Sequence, residues 1–318
     1  MDSLTPSIKF RVAGFTPNDN AYKFVLQVIQ PAMLQMELTN ADVRIIIIAD
    51  NDHYGAALKE FSANDGFTND GIYQGIGKTL PHFENGIYTG SNLVMHQCVM
   101  GSFTESDEDG LVGERDAMRY AIYHELGHCV DHRRRPVQHT AKPRENVTSF
   151  VLRCAEANSA TLLSDYAACL FSASFMTSAG FSYIANSTAQ NLKQYLEALA
   201  EKRNRYCLRF LDLTAVRNAA IETFWRGMIE YAKFFAYSHG NPALAQNENA
   251  SLIWPGTSRA GGEIMQSMFS ALREVWNSYP NCAEIFEKTL TDKWFAISEA
   301  EGYQFKVKPE GDYLWLCK

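Results

Sequence analysis

The segment that decides the fold is Tyr123–His132, with the sequence YHELGHCVDH. Residues four apart on an α-helix lie about 40° apart around the axis and one turn along it. The imidazoles of His124 and His128 can therefore reach one metal ion. Glu125 is rotated by about 100° from His124, so its carboxylate can act on a water molecule near the ion without binding the ion. The segment predicts a metal-binding helix.

The residues around this segment predict a helix from Asp116 to His132. One face carries His124 and His128 behind two alanines, which leaves room for a cleft. Gly127 in a helix interior costs about 1 kcal/mol relative to alanine, so we expect another element to pack closely against it. The alternative is a pair of half-buried histidines on an ordinary amphipathic helix. The apolar residues at core-facing spacing are Met118, Ile122, Leu126, Cys129 and Val130.

Composition indicates a globular chain. Its 318 residues, 46% of them hydrophobic and 20% charged, can form one large domain or two closely packed lobes. The net charge of −7 and the lack of a long basic tract argue against nucleic-acid binding. The basic run Arg133–Arg135 follows the motif, where cations favour a helix C-terminus.

Location is predicted from what the sequence lacks. No apolar run reaches 18 residues, so we expect no membrane span, and the first residues do not resemble a signal peptide. The seven cysteines include no C-x-x-C pair, which favours reduced thiols over a cysteine zinc site. We expect a cytoplasmic protein, although export as an effector by another route stays open, and the oligomeric state is not predicted.

The hydrophobic pattern predicts an α+β fold with two parts. Residues 1–135 form a small mixed-sheet lobe that ends in the motif helix, and residues 136–318 form a mostly helical lobe. The predicted strands are 8–13, 43–49 and 92–99, with shorter pieces at 75–80 and 86–89. The predicted helices are 19–37 with a break at Pro31, 54–61, 146–178, 189–206, 215–237, 262–279 and 283–290, followed by a strand or hairpin at 303–316.

The motif and this layout resemble the zincin metallopeptidases, and the motif's surroundings resemble their gluzincin branch. Residues 85–88 and 92–95, ahead of the motif, are similar to those of ImmA/IrrE-type peptidases. Residues 129–131 are similar to those of anthrax-lethal-factor-like proteases. The resemblance covers about residues 75 to 175, and only residues 124–128 are specific. It implies a zincin-like fold, one Zn²⁺ per chain, peptide-bond hydrolysis with Glu125 as general base, and a third ligand on the next helix that is acidic.

The metzincin pattern does not fit, because Asp131 and Arg134 occupy the positions of its glycine and third histidine. His132 lies about 12 Å along the helix axis from His124, too far to share its ion. We therefore expect His132 to be a surface residue or a partner of a ligating histidine.

Two residues compete for the third metal ligand. A helix that turns back directly after the motif helix would reach the ion near residues 154–157, which favours Glu156. The pattern of residues 165–171 fits the family better and favours Asp165, but it requires a helix break near residues 158–159. Glu156 and Asp165 lie about 180° apart on one unbroken helix, so only one should face the ion. Glu145 is a weaker third candidate.

Substrate contacts are predicted on both sides of the motif. If residues 92–99 form the edge of a cleft, Asn92 and Val94 lie where an extended substrate backbone would pair; alternatively, this is an inner strand. Tyr166, Tyr237 and His239 are candidates for stabilising the transition state. The expected partner is a protein or peptide substrate. The alternatives are a catalytically inactive zincin-fold protein that binds a peptide or protein, and hydrolysis of another type of bond.

We expect Glu125→Gln to keep zinc and to lose turnover, because the amide is nearly isosteric but cannot accept a proton. Zinc content and cleavage of an unstructured protein are measured on the same preparation. Proteolysis at the wild-type rate by this variant would contradict the role of Glu125.

Overall fold

The computed structural model describes residues 9–16, 23–61, 76–85, 87–103, 112–135, 149–246, 255–256, 258–308 and 311–317. The prediction for Glu145 lies outside the described residues. The strands are β1 (Phe10–Ala13), β2 (Val43–Ala49), β3 (Gly77–Glu84), β4 (Ile87–His96), β5 (Tyr303–Lys308) and β6 (Gly311–Leu316). The α-helices are α1 (Gln30–Gln35), α2 (Asn51–Lys59), α3 (Val112–Arg134), α4 (Phe150–Ser172), α5 (Ser178–Cys207), α6 (Leu213–Gly240), α7 (Arg259–Trp276) and α8 (Ala283–Ala300).

A mixed four-stranded sheet forms the N-terminal part, with the strand order β1-β2-β4-β3. The strands β1, β2 and β4 are parallel, and β3 runs antiparallel to β4 at the edge. The continuous β-branched run predicts β2 correctly, because a strand covered on both faces needs apolar side chains on both. Strand β4 begins earlier than predicted and ends at His96, where a 3₁₀ helix (Gln97–Phe103) follows.

The two faces of the sheet have separate cores, because successive side chains of a strand point to opposite sides. The core that includes Leu126 of α3 and residues of α1 contains the sheet residues Ile46, Ile48, Leu93 and Met95. The core on the α2 side contains Ile47, Ala49, Leu80 and Val94. The motif helix therefore packs on one face of the sheet, and α2 packs on the other.

The predicted break at Pro31 does not occur. The chain is helical from Lys23 to Gln35, and its segment Val25–Ile29 is a π-helix that leads directly into α1. Proline removes one backbone donor from a helix, and it is tolerated here because Pro31 lies in the first turn of α1.

The C-terminal part is mostly helical, as predicted, and ends in the antiparallel hairpin β5–β6. Helix α4 is continuous, so the helix break required near residues 158–159 is absent. Its start is fixed by capping: Ser149 Oγ accepts the Leu152 N–H at 3.1 Å, and Asp312 accepts the Val151 N–H at 2.9 Å. In the described part of the chain, no helix has the length and apolar character needed to cross a bilayer.

The chain divides into two compact units, each built from several stretches. The first contains Met1–Ala141, Ala167–Ile184 and Gly240–Ala250, and the second contains Lys142–Tyr166, Ala185–His239 and Ser251–Lys318. The sequence instead predicted two consecutive lobes, residues 1–135 and 136–318. That division stays a prediction. The core of the second unit includes Trp294, which stacks on Trp225 with ring centroids 5.8 Å apart and contacts Phe305 of the hairpin.

Helices α3 and α4 pack closely at Gly127. A Cβ atom at this position would lie 2.3 Å from the carbonyl oxygen of Ala168. This confirms the expectation that another element packs against the glycine. About two turns earlier on α3, the Tyr120 hydroxyl lies 2.5 Å from Ser172 Oγ and donates to the Cys169 carbonyl at 3.2 Å. The contacts advance along α3 as they move back along α4, so the two helices are antiparallel here.

We expect Gly127→Ala to lower the free energy of unfolding by about 2 kcal/mol, although alanine alone would favour the helix by about 1 kcal/mol. The added methyl meets backbone atoms of Ala168, so the helices must separate. Chemical denaturation measures the change. The matched control is Gly127→Ala with Ala168→Gly, which should not restore stability because the obstructing atoms are backbone; full rescue would contradict this packing.

Candidate metal centre

The two motif histidines converge on one point. The Nε2 atoms of His124 and His128 lie 3.1 Å apart, and their rings are nearly perpendicular at 84°. Two nitrogen ligands of one tetrahedral zinc ion, each about 2.0–2.1 Å from the metal, would be roughly 3.3 Å apart. The spacing of the two nitrogens is therefore close to that of a shared ion.

Asp165 brings a carboxylate to this histidine pair. The ligand atoms of His124, His128 and Asp165 all lie within 4.8 Å of one another, and all three residues are half-buried. Helix α4 accounts for this placement, because Asp165 precedes Cys169 by one turn on the same face. The Cys169 Sγ atom lies 3.2 Å from His124 Nδ1, on the opposite side of the ring from Nε2. That contact orients the imidazole so that Nε2 faces the carboxylate.

Glu156, the other candidate for the third ligand, is not in this group. It precedes Asp165 by nine residues, which is about 13 Å along the axis and half a turn around it. Glu156 would reach the histidines only if the return helix began beside the end of α3. Helix α4 instead begins at Phe150 and meets Gly127 only about five turns later, at Ala168. Of the two candidates, Asp165 is therefore the one that lies beside the histidines, and its role as a metal ligand stays a prediction.

A lysine contacts the same carboxylate. Lys233 Nζ lies 3.5 Å from Asp165 Oδ2 and 3.4 Å from Glu230 Oε1. Its ammonium balances the charge of Asp165 and would share that carboxylate with a metal ion. Lys233 is on α6, far from Asp165 in sequence, and no motif points to it.

Glu125 is buried, with 8% of its surface exposed, and is held by the edge strand. Thr79 Oγ1 lies 2.7 Å from Glu125 Oε2, to which it can donate, and 2.8 Å from the Glu125 carbonyl oxygen. Gly77 permits this approach, because a Cβ there would lie 2.9 Å from Glu125 Cγ. Sequence reasoning missed Thr79. No local pattern identifies it, because only the register of β3 on β4 shows that Gly77 and Thr79 pair with Met95 and Leu93, which face α3.

His132 is buried instead of lying at the surface. Its Nδ1 is 2.9 Å from Ser91 Oγ, which in turn is 3.0 Å from the Tyr88 hydroxyl. Burial raises the pKa of Tyr88, so this hydroxyl stays protonated. The His132 ring stacks on His128 with centroids 6.0 Å apart. His132 therefore packs against His128, and its predicted role as the partner of a metal-ligating histidine stays a prediction.

The prediction of Asn92 and Val94 as substrate-pairing residues of a cleft edge is wrong. Strand β4 pairs with β2 on one side and with β3 on the other, so it is an inner strand. Val94 belongs to the core on the α2 face, and Asn92 pairs with Leu80, which lies in that same core. Both side chains therefore point away from α3. The edge strand next to Glu125 is β3.

The candidates for transition-state stabilisation lie in the second unit. The Tyr166 hydroxyl is 2.9 Å from His239 Nδ1, and the Tyr166 ring also contacts Trp276. Burial lowers the pKa of His239, and the nearby Arg273 guanidinium lowers it further, so this imidazole is neutral at pH 7. Tyr237 is buried in the helical core. A contact of these three residues with substrate stays a prediction.

Comparisons with protein-family models, with curated proteins and with solved structures found no significant match.

We expect Thr79→Val to lower the free energy of unfolding by about 1.5–3 kcal/mol, because it removes a hydrogen bond to the buried carboxylate of Glu125 while keeping the side-chain shape. Thr79→Ser keeps the hydroxyl and is the matched control. Chemical denaturation at pH 7 compares the three proteins. Wild-type stability of Thr79→Val together with a loss in Thr79→Ser would show that the methyl group, and not the hydrogen bond, is what matters.

Proposed function

We propose that this chain is a zinc-dependent hydrolase, and specifically a metallopeptidase. The observation that carries the proposal is the convergence of His124, His128 and Asp165, with Glu125 directly after the first histidine. A chance pair of histidines on an amphipathic helix would not require a carboxylate from another helix at the same point.

The donor set suits zinc. Two imidazole nitrogens and one carboxylate oxygen are a common ligand set of catalytic zinc sites, which leave one position for substrate or water. Calcium and magnesium prefer oxygen ligands alone, so the two histidines argue against them. Zinc bound by these residues would polarise the substrate carbonyl and lower the pKa of a water molecule.

Glu125 is the proposed general base. It would accept a proton from the attacking water and give it to the leaving amine. The Thr79 hydroxyl donates to one oxygen of this carboxylate, which leaves the other oxygen for the water. Thr79 would thus fix the direction of the base, and Cys169 and His132 would fix the two imidazoles.

The edge strand supports a peptide as the substrate. In the described part of the chain, β3 pairs with β4 alone, so its second edge faces away from the sheet. An extended peptide can add to such an edge through backbone hydrogen bonds. Because Gly77 and Thr79 of β3 contact Glu125, a peptide bound there would lie beside the proposed base.

A second candidate function is binding of a peptide or protein without cleavage. The contact between Lys233 and Asp165 favours it, because a carboxylate already neutralised by an ammonium has less to gain from a metal ion.

Zinc content per chain tests the proposal, measured by elemental analysis after dialysis against a zinc buffer. We expect about one zinc in the wild type and in Glu156→Ala, and loss of most of it in Asp165→Ala and His128→Ala. Glu156→Ala is the matched control, because it removes a carboxylate from the same helix.

Two outcomes would contradict the proposal. Absence of zinc from the wild type would contradict the proposed hydrolase activity and would favour binding of a peptide or protein without cleavage. Retention of zinc by Asp165→Ala together with its loss in Glu156→Ala would mean that Glu156, and not Asp165, is the third ligand. Lys233→Met separates the candidates further, since a pure ion-pair role for Asp165 predicts destabilisation of that variant without any change in zinc content.

A further inference from the structure

A cavity of about 580 Å³ lies in the sheet unit, and the histidine pair is not part of its lining. Its lining includes Arg44 and Ile45 of β2, His82 of β3 and Asn92 of β4, together with Phe61, which follows α2. Asn92 and Ile45 are paired neighbours on the α2 side of the sheet. Helix α2 has only nine residues, about 13 Å, so it covers only part of this face. The volume is in the range of small-molecule sites.

Basic and polar side chains converge at this cavity. Arg44 Nη1 and His82 Nδ1 lie 3.2 Å and 2.9 Å from the same atom, Thr89 Oγ1. Lys9 also lines the cavity, and it forms no ion pair with any residue in the described ranges. No lining residue is acidic, although Glu84 outside the lining pairs with Arg44 at 3.0 Å. In a chain of net charge −7, this concentration of cationic groups favours an anion.

Asn92 provides an independent indication of a ligand. Only 3% of its surface is exposed, it lines the cavity, and its side-chain amide has no hydrogen-bond partner among the described residues. Because the residue is almost fully covered and lines the cavity, its amide can bind a ligand or ordered water there. A leucine of similar size would suit this position better if the side chain served only the core.

We propose that this cavity binds a small organic anion. Arg44 and Lys9 hold its carboxylate or phosphate group, and the Asn92 amide donates a further hydrogen bond to it. The apolar body of the ligand packs against Phe61 and Ile45. The site uses none of the residues of the candidate metal centre, so it does not depend on the proposed hydrolase activity.

Isothermal titration of the full-length chain with phenyl phosphate and with benzoate tests this proposal. We expect saturable binding of at least one of the two at one site per chain, and the stronger binder identifies the anionic group. Binding should weaken at least tenfold in Arg44→Gln, because a charge-assisted hydrogen bond is lost. Arg11→Gln is the matched control, since Arg11 forms an exposed ion pair with Glu60 outside the cavity and should leave binding unchanged.

Asn92→Leu keeps the test decisive if Arg44→Gln fails to fold. We expect this variant to unfold at the same or a higher temperature than the wild type and to bind the anion at least tenfold more weakly. No saturable binding of either anion up to about 10 mM would overturn the proposal. Binding that is unchanged in Arg44→Gln or Asn92→Leu would also overturn it, because the anion would then occupy another site such as the histidine pair.

Discussion

The candidate site depends on the close approach of two helix backbones at Gly127 and Ala168. Any side chain at residue 127 would meet the backbone of α4, so only glycine allows the two helices to come this near. His124 lies about one turn before Gly127 and His128 directly follows it, and Asp165 lies about one turn from Ala168 on α4. Because both helices are rigid over this distance, one point of contact fixes which carboxylate reaches the imidazoles. The energetic cost of glycine in a helix is thereby offset by a geometric requirement.

A set of polar contacts around the histidines and Glu125 fixes their orientations. Cys169 contacts His124, His132 stacks on His128, and Thr79 donates to Glu125. These partners come from α4, α3 and β3, so helix packing and the edge strand act together on one motif. Such contacts lower the number of rotamers that each functional side chain can adopt. They also satisfy polar groups that are otherwise buried without water.

Local sequence pattern was sufficient for the elements and for the motif, and insufficient for what joins them. The β-branched run predicts β2 because burial on both faces leaves no polar alternative, and the histidine spacing predicts that His124 and His128 come together on one face of α3. Strand order is not local: nothing in residues 92–99 shows that β3 pairs beside them, so Asn92 was predicted to lie at the edge of a cleft and not on an inner strand. Which carboxylate lies beside the two histidines depends on where α4 begins. The length of the connecting segment does not determine that position.

Two contacts were beyond any pattern in the sequence. Thr79 reaches Glu125 across 46 residues of chain, and Lys233 reaches Asp165 from a helix two elements later. A threonine on a strand and a lysine on an amphipathic helix are ordinary in composition, and only the fold gives them a partner. The polar partners of the candidate site residues, Thr79 and Lys233, could therefore not be predicted from this sequence.

The central claim is that the packing of α3 on α4 builds a metal site. X-ray absorption spectroscopy at the zinc edge tests this claim most directly. The wild-type protein loaded with zinc should show two imidazole nitrogens and carboxylate oxygen at about 2.0–2.2 Å from the metal. The spectrum of Asp165→Ala should not show this set of ligands. A sulfur ligand at about 2.3 Å would contradict this, because it would mean that Cys169, and not Asp165, binds the metal.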